Sequence, residues 1–203
     1  MRSTLEKGVA FIEAAMWLLI ALPLMLGIVS VLGEMYDQNV VSKIPANLLR
    51  ESYVEGMRFN AESVDGLVAQ YEELGRVVAA LTAKGVADGE GAVFHATKIS
   101  AKACYIVYRV DPSSGHLGGT IQHGCDLRGP LAGRLTLNIH HISETSGKLG
   151  IPLLRNGATS GYFDRMVMVG VVIGGEVPDL LAPSKPRLLE FSALSVPRQE
   201  ITL

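Results

Sequence analysis

The N-terminal part of the chain contains one uninterrupted apolar segment. Residues Ala14 to Gly33 include no charged side chain. With a rise of about 1.5 Å per residue, a helix over these residues crosses a hydrocarbon layer about 30 Å thick. We therefore predict one membrane-spanning helix. Pro23 within it either kinks the helix by removing a backbone donor or is simply tolerated, since proline is common in membrane helices.

The charges that flank this segment predict its orientation. Arg2 and Lys7 precede it. Glu34 and Asp37 follow it, and no cation occurs before Lys43. Because cations concentrate on the cytoplasmic side, the amino terminus is expected in the cytoplasm. A cleaved secretory signal would have a shorter apolar core, of about 7 to 15 residues, whereas an ordinary uncleaved anchor remains an open alternative.

Helical periodicity continues beyond the span. Glu34 to Leu49 is predicted to extend the first helix, which should end or bend just before Pro45. A second, amphipathic helix is predicted from an N-cap at Asn60 to a stop at Lys84-Gly85. Its apolar stripe recurs every three or four residues and consists of Val64, Leu67, Val68, Tyr71, Leu74, Val78 and Leu81. We expect this stripe to pack on a sheet of the same domain.

Strand-like patterns fill the remainder of the chain. Ala87 to Ala92 is rich in glycine and acids and predicts a loop. The segments that follow predict strands, namely Ala101–Val110, Arg134–Ile142, Met166–Ile173 and Leu188–Val196. The first two have one apolar face each and should be half buried, whereas Met166–Ile173 is apolar on both faces. The predicted fold class is α+β, with a long N-terminal helix and an amphipathic helix on an antiparallel sheet.

Two cysteines fall in the region predicted to be exported. Cys104 lies on the apolar face of its strand, and Cys125 follows an expected bend at Gly118-Gly119. An oxidising compartment favours a disulfide between them over a metal or redox site, and no Cys-x-x-Cys motif occurs.

The net charge, the histidine positions and the absence of known motifs argue against several functional classes. A net charge of −2 without any basic stripe argues against nucleic-acid partners. His140 and His141 are adjacent on a predicted strand and so point to opposite faces, and with His116 and His123 they form no metal-ligand motif. No nucleophile elbow, phosphate loop or dinucleotide fingerprint occurs. We expect no cofactor, no metal and no enzymatic activity.

The run from Lys7 to Glu13 carries a recognisable pattern. A basic residue, a glycine, four mostly apolar residues and a glutamate lead into the long apolar helix. This order resembles the class III signal of type IV pilins and pseudopilins. In that family, a prepilin peptidase cuts after the glycine and usually methylates the new amino terminus. The resemblance implies that Gly8 ends the leader, that Val9 begins the mature chain and that Glu13 is the acid at mature position five.

Physical reasoning gives Glu13 two alternative roles. A carboxylate and a new amine at Val9 are both costly in lipid, and pairing between neighbouring subunits would compensate both and set their axial register. Alternatively, Glu13 snorkels to the cytoplasmic headgroups from the first turns of the helix.

Further residues resemble a sub-family, the TadE and TadF type pseudopilins of the tight-adherence (Flp) pilus system. The resemblance continues from Glu13 through Pro23, Gly27, Gly33-Glu34 and Tyr36 to Asn47-Leu48-Leu49-Arg50-Glu51. It implies residues 1–8 as a leader peptide, 9–50 as the transmembrane and assembly helix, and 51–203 as the exported domain. Such a domain is long for a major Flp pilin and favours a minor component.

The function implied is a structural or priming subunit of a Flp-type pilus or a related secretion filament. The implied partners are other pilins and pseudopilins, the prepilin peptidase, the inner-membrane assembly platform and membrane lipid. The protein would reside in the bacterial inner membrane with a periplasmic C-terminal domain, and would enter an extracellular pilus. The alternative is a membrane-anchored periplasmic enzyme or binding protein with an uncleaved anchor.

Overall fold

The computed structural model describes residues 2–54, 59–60, 66–111, 113–114, 117–137, 165–178, 185–195 and 199–200. Two helices and six strands occur in these ranges, together with a short 3-10 helix at Ala132–Arg134. The helices are α1 (Arg2–Val54) and α2 (Gly66–Ala92). The strands are β1 (Phe59–Asn60), β2 (Thr97–Val110), β3 (Leu117–Arg128), β4 (Arg165–Val177), β5 (Arg187–Ser195) and β6 (Gln199–Glu200). The predicted α+β class, with a long apolar N-terminal helix and an antiparallel sheet, is confirmed.

Helix α1 continues through both of its prolines. The prediction that it ends just before Pro45 was wrong, because α1 runs on to Val54, while the alternative of a bend at that point stays a prediction. A proline inside a helix costs about 3 kcal/mol. Burial of Ile44, Leu48 and Leu49 against the rest of the domain offsets that cost, since these side chains are at most 8% exposed.

Helix α2 ends later than predicted. Asn60 belongs to β1, residues 61–65 lie outside the described residues, and the predicted stop at Lys84-Gly85 and loop at Ala87–Ala92 were wrong, because α2 continues to Ala92. Gly85 faces the core instead, where an added Cβ would lie 3.0 Å from Ile173 Cδ1. Gly89 is similarly close to the sheet, with Ile99 Cγ2 2.5 Å from such a Cβ. These glycines let the helix approach the sheet closely and do not terminate it.

The main sheet has the order β3-β2-β4-β5 and is antiparallel throughout. Both helices pack on one face, where the stripe residues Leu74, Val78 and Leu81 are buried as predicted. The same core contains Val41, Ile44, Leu48, Leu49, Ala101, Ala103, Tyr105, Val107, Val167, Val169, Val171 and Ile173. The C-terminal half of α1 therefore belongs to the core of the sheet domain. Strands β1 and β6 form a separate parallel pair.

The two central strands are buried on both faces. The strand predicted at Met166–Ile173 is confirmed within β4, where residues 167–173 are buried on both faces, and Leu188–Val196 corresponds to β5 up to Ser195. The expectation that β2 is half buried was wrong. Its helix-facing residues are buried, and so are those of its second face, Cys104, Ile106, Tyr108 and Val110.

Residues 131–137 cover part of this second face. The strand predicted at Arg134–Ile142 was wrong for its described part, because residues 135–137 have no regular structure, while 138–142 lie outside the described residues. Leu135 packs against Gly174 and Leu137 against Gly170, since a Cβ at either glycine would lie 2.6 Å from the leucine. The expected bend at Gly118-Gly119 is part of β3, where the pairing with β2 shifts register.

Candidate membrane and assembly site

The first half of α1 projects from the domain with its apolar side chains exposed. We call residues Val9 to Leu32 the stem. Its large apolar side chains, including Phe11, Trp17 and Leu19, are each at least half exposed. The helix that contains the stem is long and apolar enough to cross a membrane, and none of its most apolar window is buried. Such a surface is unfavourable in water.

The predicted processing and register residues lie near the beginning of the stem. Gly8 and Val9 are helical, and Val9 is exposed. Glu13 is also exposed, and among the side chains that the structure describes it has neither a hydrogen bond nor an ion pair. Its carboxylate is therefore open to groups outside the described part of the chain.

A buried carboxylate joins α1 to the loop between α2 and β2. Asp37 is 0% exposed. Its Oδ1 accepts a hydrogen bond from the backbone N–H of Phe94 at 2.6 Å. Its Oδ2 accepts bonds from the backbone N–H groups of His95 at 2.7 Å and Ala96 at 2.6 Å. Three consecutive backbone donors therefore share one ionisable group, and charge-assisted bonds of this kind are stronger than neutral ones.

The same loop packs against a glycine one turn earlier on α1. The ring of His95 occupies the space that a side chain at residue 33 would need, and Phe94 Cδ1 lies 3.2 Å from the ideal Cβ position of Gly33. The rings of Phe94 and His95 meet edge to face, with centroids 4.7 Å apart. Phe94 nevertheless remains 68% exposed. A glycine at residue 33 is thus what allows the loop to reach the helix.

An ion pair with the edge strand β5 completes this contact. Arg187, the first residue of β5, pairs with Glu34 of α1. Gln38 Nε2 donates to Glu34 Oε1 at 3.1 Å. We call Gly33, Glu34, Asp37, residues 93–96 and Arg187 the collar. It lies where the uncharged segment ends, and it fixes the sheet domain to the helix immediately beyond the stem.

Next to the collar, an acid at the end of β4 binds two cations. Glu176 is 8% exposed, and its carboxylate accepts bonds from Lys98 Nζ at 2.7 Å and Arg134 Nη1 at 3.1 Å. The hydrogen bond from Lys98, more than the charge of Arg134, holds the pKa of Glu176 below its ordinary value. This group ties β2, β4 and the segment after β3 together at the end of the sheet nearest the collar.

The two cysteines lie on adjacent strands of the sheet. Cys104 and Cys125 are directly paired residues of β2 and β3 and lie at disulfide-bonding distance, with a Cα–Cα separation of 4.1 Å. This agrees with the predicted disulfide. One residue further on β3, Asp126 accepts hydrogen bonds from Thr82 of α2 and from Arg128. Burial raises the pKa of Asp126, but these bonds outweigh it and leave the pKa below its ordinary value.

The structure thus separates the predicted site residues into two places. Gly8, Val9 and Glu13 lie near the N-terminal end of α1, and the cysteines lie in the sheet domain. Of the histidines considered as ligands, His123 is exposed on β3, while His116, His140 and His141 lie outside the described residues. Within the described part of the chain, no group of three or more potential ligands is placed to hold a metal ion.

Sequence reasoning missed the collar entirely. Asp37 was noted only as a charge that flanks the span, and residues 93–96 lay between a predicted loop and a predicted strand. One signal was present: Asp37 lies four residues after Gly33 and three after Glu34, so its side chain is on the same side of the helix as each of them.

Comparison with known proteins adds no relative. No protein-family model matches the chain, and no curated protein or solved structure shows a significant similarity to it. The functional interpretation therefore depends on this chain's own residues and geometry.

Proposed function

We propose that this protein is a minor pseudopilin of the TadE/TadF kind, a structural or priming subunit of a Flp-type pilus or related secretion filament. One observation carries the proposal. A single helix bears an exposed apolar stem in its first half and packs into a sheet domain with its second half. Such a helix suits a subunit that is anchored in lipid before assembly and contributes its stem to a helical bundle afterwards.

The N-terminal residues supply the second line of support. Lys7, Gly8 and Glu13 precede the uncharged segment at the spacing of a prepilin peptidase site. In the proposed mechanism, cleavage after Gly8 creates an amine at Val9. That amine pairs with Glu13 of an adjacent subunit, so that neither charge remains uncompensated among apolar helices. The domain beyond the collar lies on the periplasmic side of the bacterial inner membrane, where a disulfide persists.

Substitution of the leader glycine tests processing. Gly8→Ala should block removal of residues 1–8 while the protein still inserts into the membrane. Gly27→Ala is the matched control, because it makes the same change in the same helix at a position with no neighbouring atom within 4 Å. Immunoblotting of the precursor and mature forms, with counting of pili, reads out both variants. Normal processing and piliation of Gly8→Ala would refute the proposal and favour an ordinary uncleaved anchor.

Substitution of the stem acid tests assembly separately. Glu13→Ala leaves the amine at Val9 without its counter-charge, and breaking one side of a buried pair costs about 3 to 5 kcal/mol. We expect cleavage to continue but incorporation into extracellular fibres to fall. Glu13→Gln, which keeps the shape and loses the charge, should share the defect. Unchanged incorporation of both variants would contradict the pairing mechanism.

A further inference from the structure

We propose that the collar loop, residues 93–96, is a second membrane contact, in which Phe94 inserts into the headgroup region of the leaflet nearest the sheet domain. This inference rests on the proposed membrane anchoring by the stem. It adds that the sheet domain touches the lipid surface through a particular loop and is thereby held in one orientation.

Depth along α1 supports this position. The uncharged segment ends at Gly33 and is just long enough for the hydrocarbon layer, so Gly33 lies at the lipid–water boundary when the stem spans the bilayer. Phe94 is packed beside Gly33. A ring in contact with that residue must lie at the same depth, where Met35 and Tyr36 of α1 are also exposed. Tryptophan and tyrosine are enriched at this depth, and phenylalanine is among the side chains that interfacial helices bury at the boundary of headgroups and acyl chains.

The backbone N–H groups of the loop find their hydrogen-bond partners within the protein, whereas the buried Nε2 atom of His95 has none among the described residues. Backbone N–H groups that leave water without a partner cost free energy. Here Asp37 accepts the N–H groups of Phe94, His95 and Ala96. The acid beside them, Glu34, is neutralised by Arg187. The collar therefore presents an exposed aromatic ring on a loop whose backbone N–H groups already have partners within the protein.

The exposure of Phe94 has no explanation within the domain. It is 68% exposed, although its own backbone is held by a fully buried carboxylate. A single exposed apolar side chain is ordinary on a protein surface. This one is continuous with the stem, whose apolar side chains extend up to Leu32. The bilayer that surrounds the stem therefore also covers Phe94.

Fluorescence quenching by brominated lipids tests the inference on the full-length protein. Trp17 is the only tryptophan, so Trp17→Phe removes the native signal and Phe94→Trp introduces one at the collar. The double variant is reconstituted in vesicles of phosphatidylcholine and phosphatidylglycerol that carry bromine either close to the headgroup or near the bilayer centre. We expect strong quenching by the headgroup-proximal bromines and weaker quenching by the central ones.

Two comparisons make the result decisive. Leu194→Trp in the same Trp17→Phe background places the probe at another exposed apolar residue, seven positions along β5 from the collar residue Arg187, and should show no quenching. Unaltered protein reports insertion of the stem through Trp17. Quenching of Trp17 without quenching at residue 94 would overturn the loop contact and leave the anchor intact. Absence of quenching at Trp17 would overturn the anchor and the loop contact together.

Discussion

Two consecutive parts of α1 have opposite surroundings. From Val9 to Leu32 the helix exposes nearly all of its apolar side chains. From Gly33 to Leu49 it buries one face against the sheet and α2, and its acids find partners in the collar. One continuous helix therefore has an exposed apolar part followed by a part that is buried on one face. The change occurs within a single turn, where Gly33, Glu34 and Asp37 replace an uninterrupted apolar sequence.

Asp37 should be the residue whose loss most disturbs the second half. Asp37→Ala leaves three backbone donors without their acceptor, and an unsatisfied buried group costs about 1 to 3 kcal/mol, so the loss of unfolding free energy should be about 3 kcal/mol or more. Denaturant unfolding of the full-length protein in detergent measures it, and hydrogen exchange at residues 94–96 localises it. Asp88→Ala, the same change at an exposed position of α2, should alter stability by no more than about 0.5 kcal/mol. Equal effects of the two variants would mean that the collar contributes nothing.

The disulfide should stabilise the sheet domain without affecting the stem. Cys104 and Cys125 are 21 residues apart, and a closed loop of that size stabilises by about 3 kcal/mol through the entropy of the unfolded chain. The double variant Cys104→Ala/Cys125→Ala should unfold at correspondingly lower denaturant concentration, with membrane insertion unchanged. A variant as stable as the unaltered protein would show that the bond has no such role.

Two glycines of α1 provide a sharper comparison of its halves. Gly33→Ala places a methyl group against the His95 ring and Phe94, and overpacking of this kind costs about 1 to 3 kcal/mol. Gly27→Ala meets no atom within 4 Å and should be neutral or slightly stabilising, because alanine favours a helix. Hydrogen exchange at the collar amides should increase in the first variant only. Similar behaviour of the two would remove the distinction between stem and collar.

Acid should weaken the collar end of the sheet by a smaller amount. The pKa of Glu176 is lowered in the folded protein, chiefly by the hydrogen bond from Lys98. A group with a depressed pKa contributes stability at pH values above its unfolded pKa, here 4.5, and this contribution is lost as the pH falls through the folded value. Stability measured from pH 7 downward should therefore decline below about pH 4.5. Glu176→Gln should flatten this decline, and an unchanged profile would contradict the assignment.

The periodic parts of the fold could be predicted from sequence, because burial on a strand or helix face leaves a regular pattern. The stripe through Leu74, Val78 and Leu81 and the apolar run within β4 are examples. The errors in helix boundaries arose at glycine and proline. Gly85 and Gly89 resemble terminators but serve close packing, and Pro45 resembles a break but is held helical by its buried neighbours.

The candidate site was predictable only where its chemistry is local. Gly8, Val9 and Glu13 form a pattern within one short run, and two cysteines allow one intramolecular pairing. The collar depends on contacts between Asp37 and residues 57 to 59 positions later in the chain. Nothing in the spacing of those residues indicates that they meet, because the packing of α1 on the sheet brings them together.

The central claim is that the stem is a processed pseudopilin helix that begins at Val9. Intact-mass and N-terminal peptide mass spectrometry of the protein isolated from its natural membrane tests it most directly. The account predicts a chain that lacks residues 1–8 and begins with N-methylated Val9. A chain that retains Met1 and the whole run to Gly8 would contradict it and identify an ordinary membrane anchor.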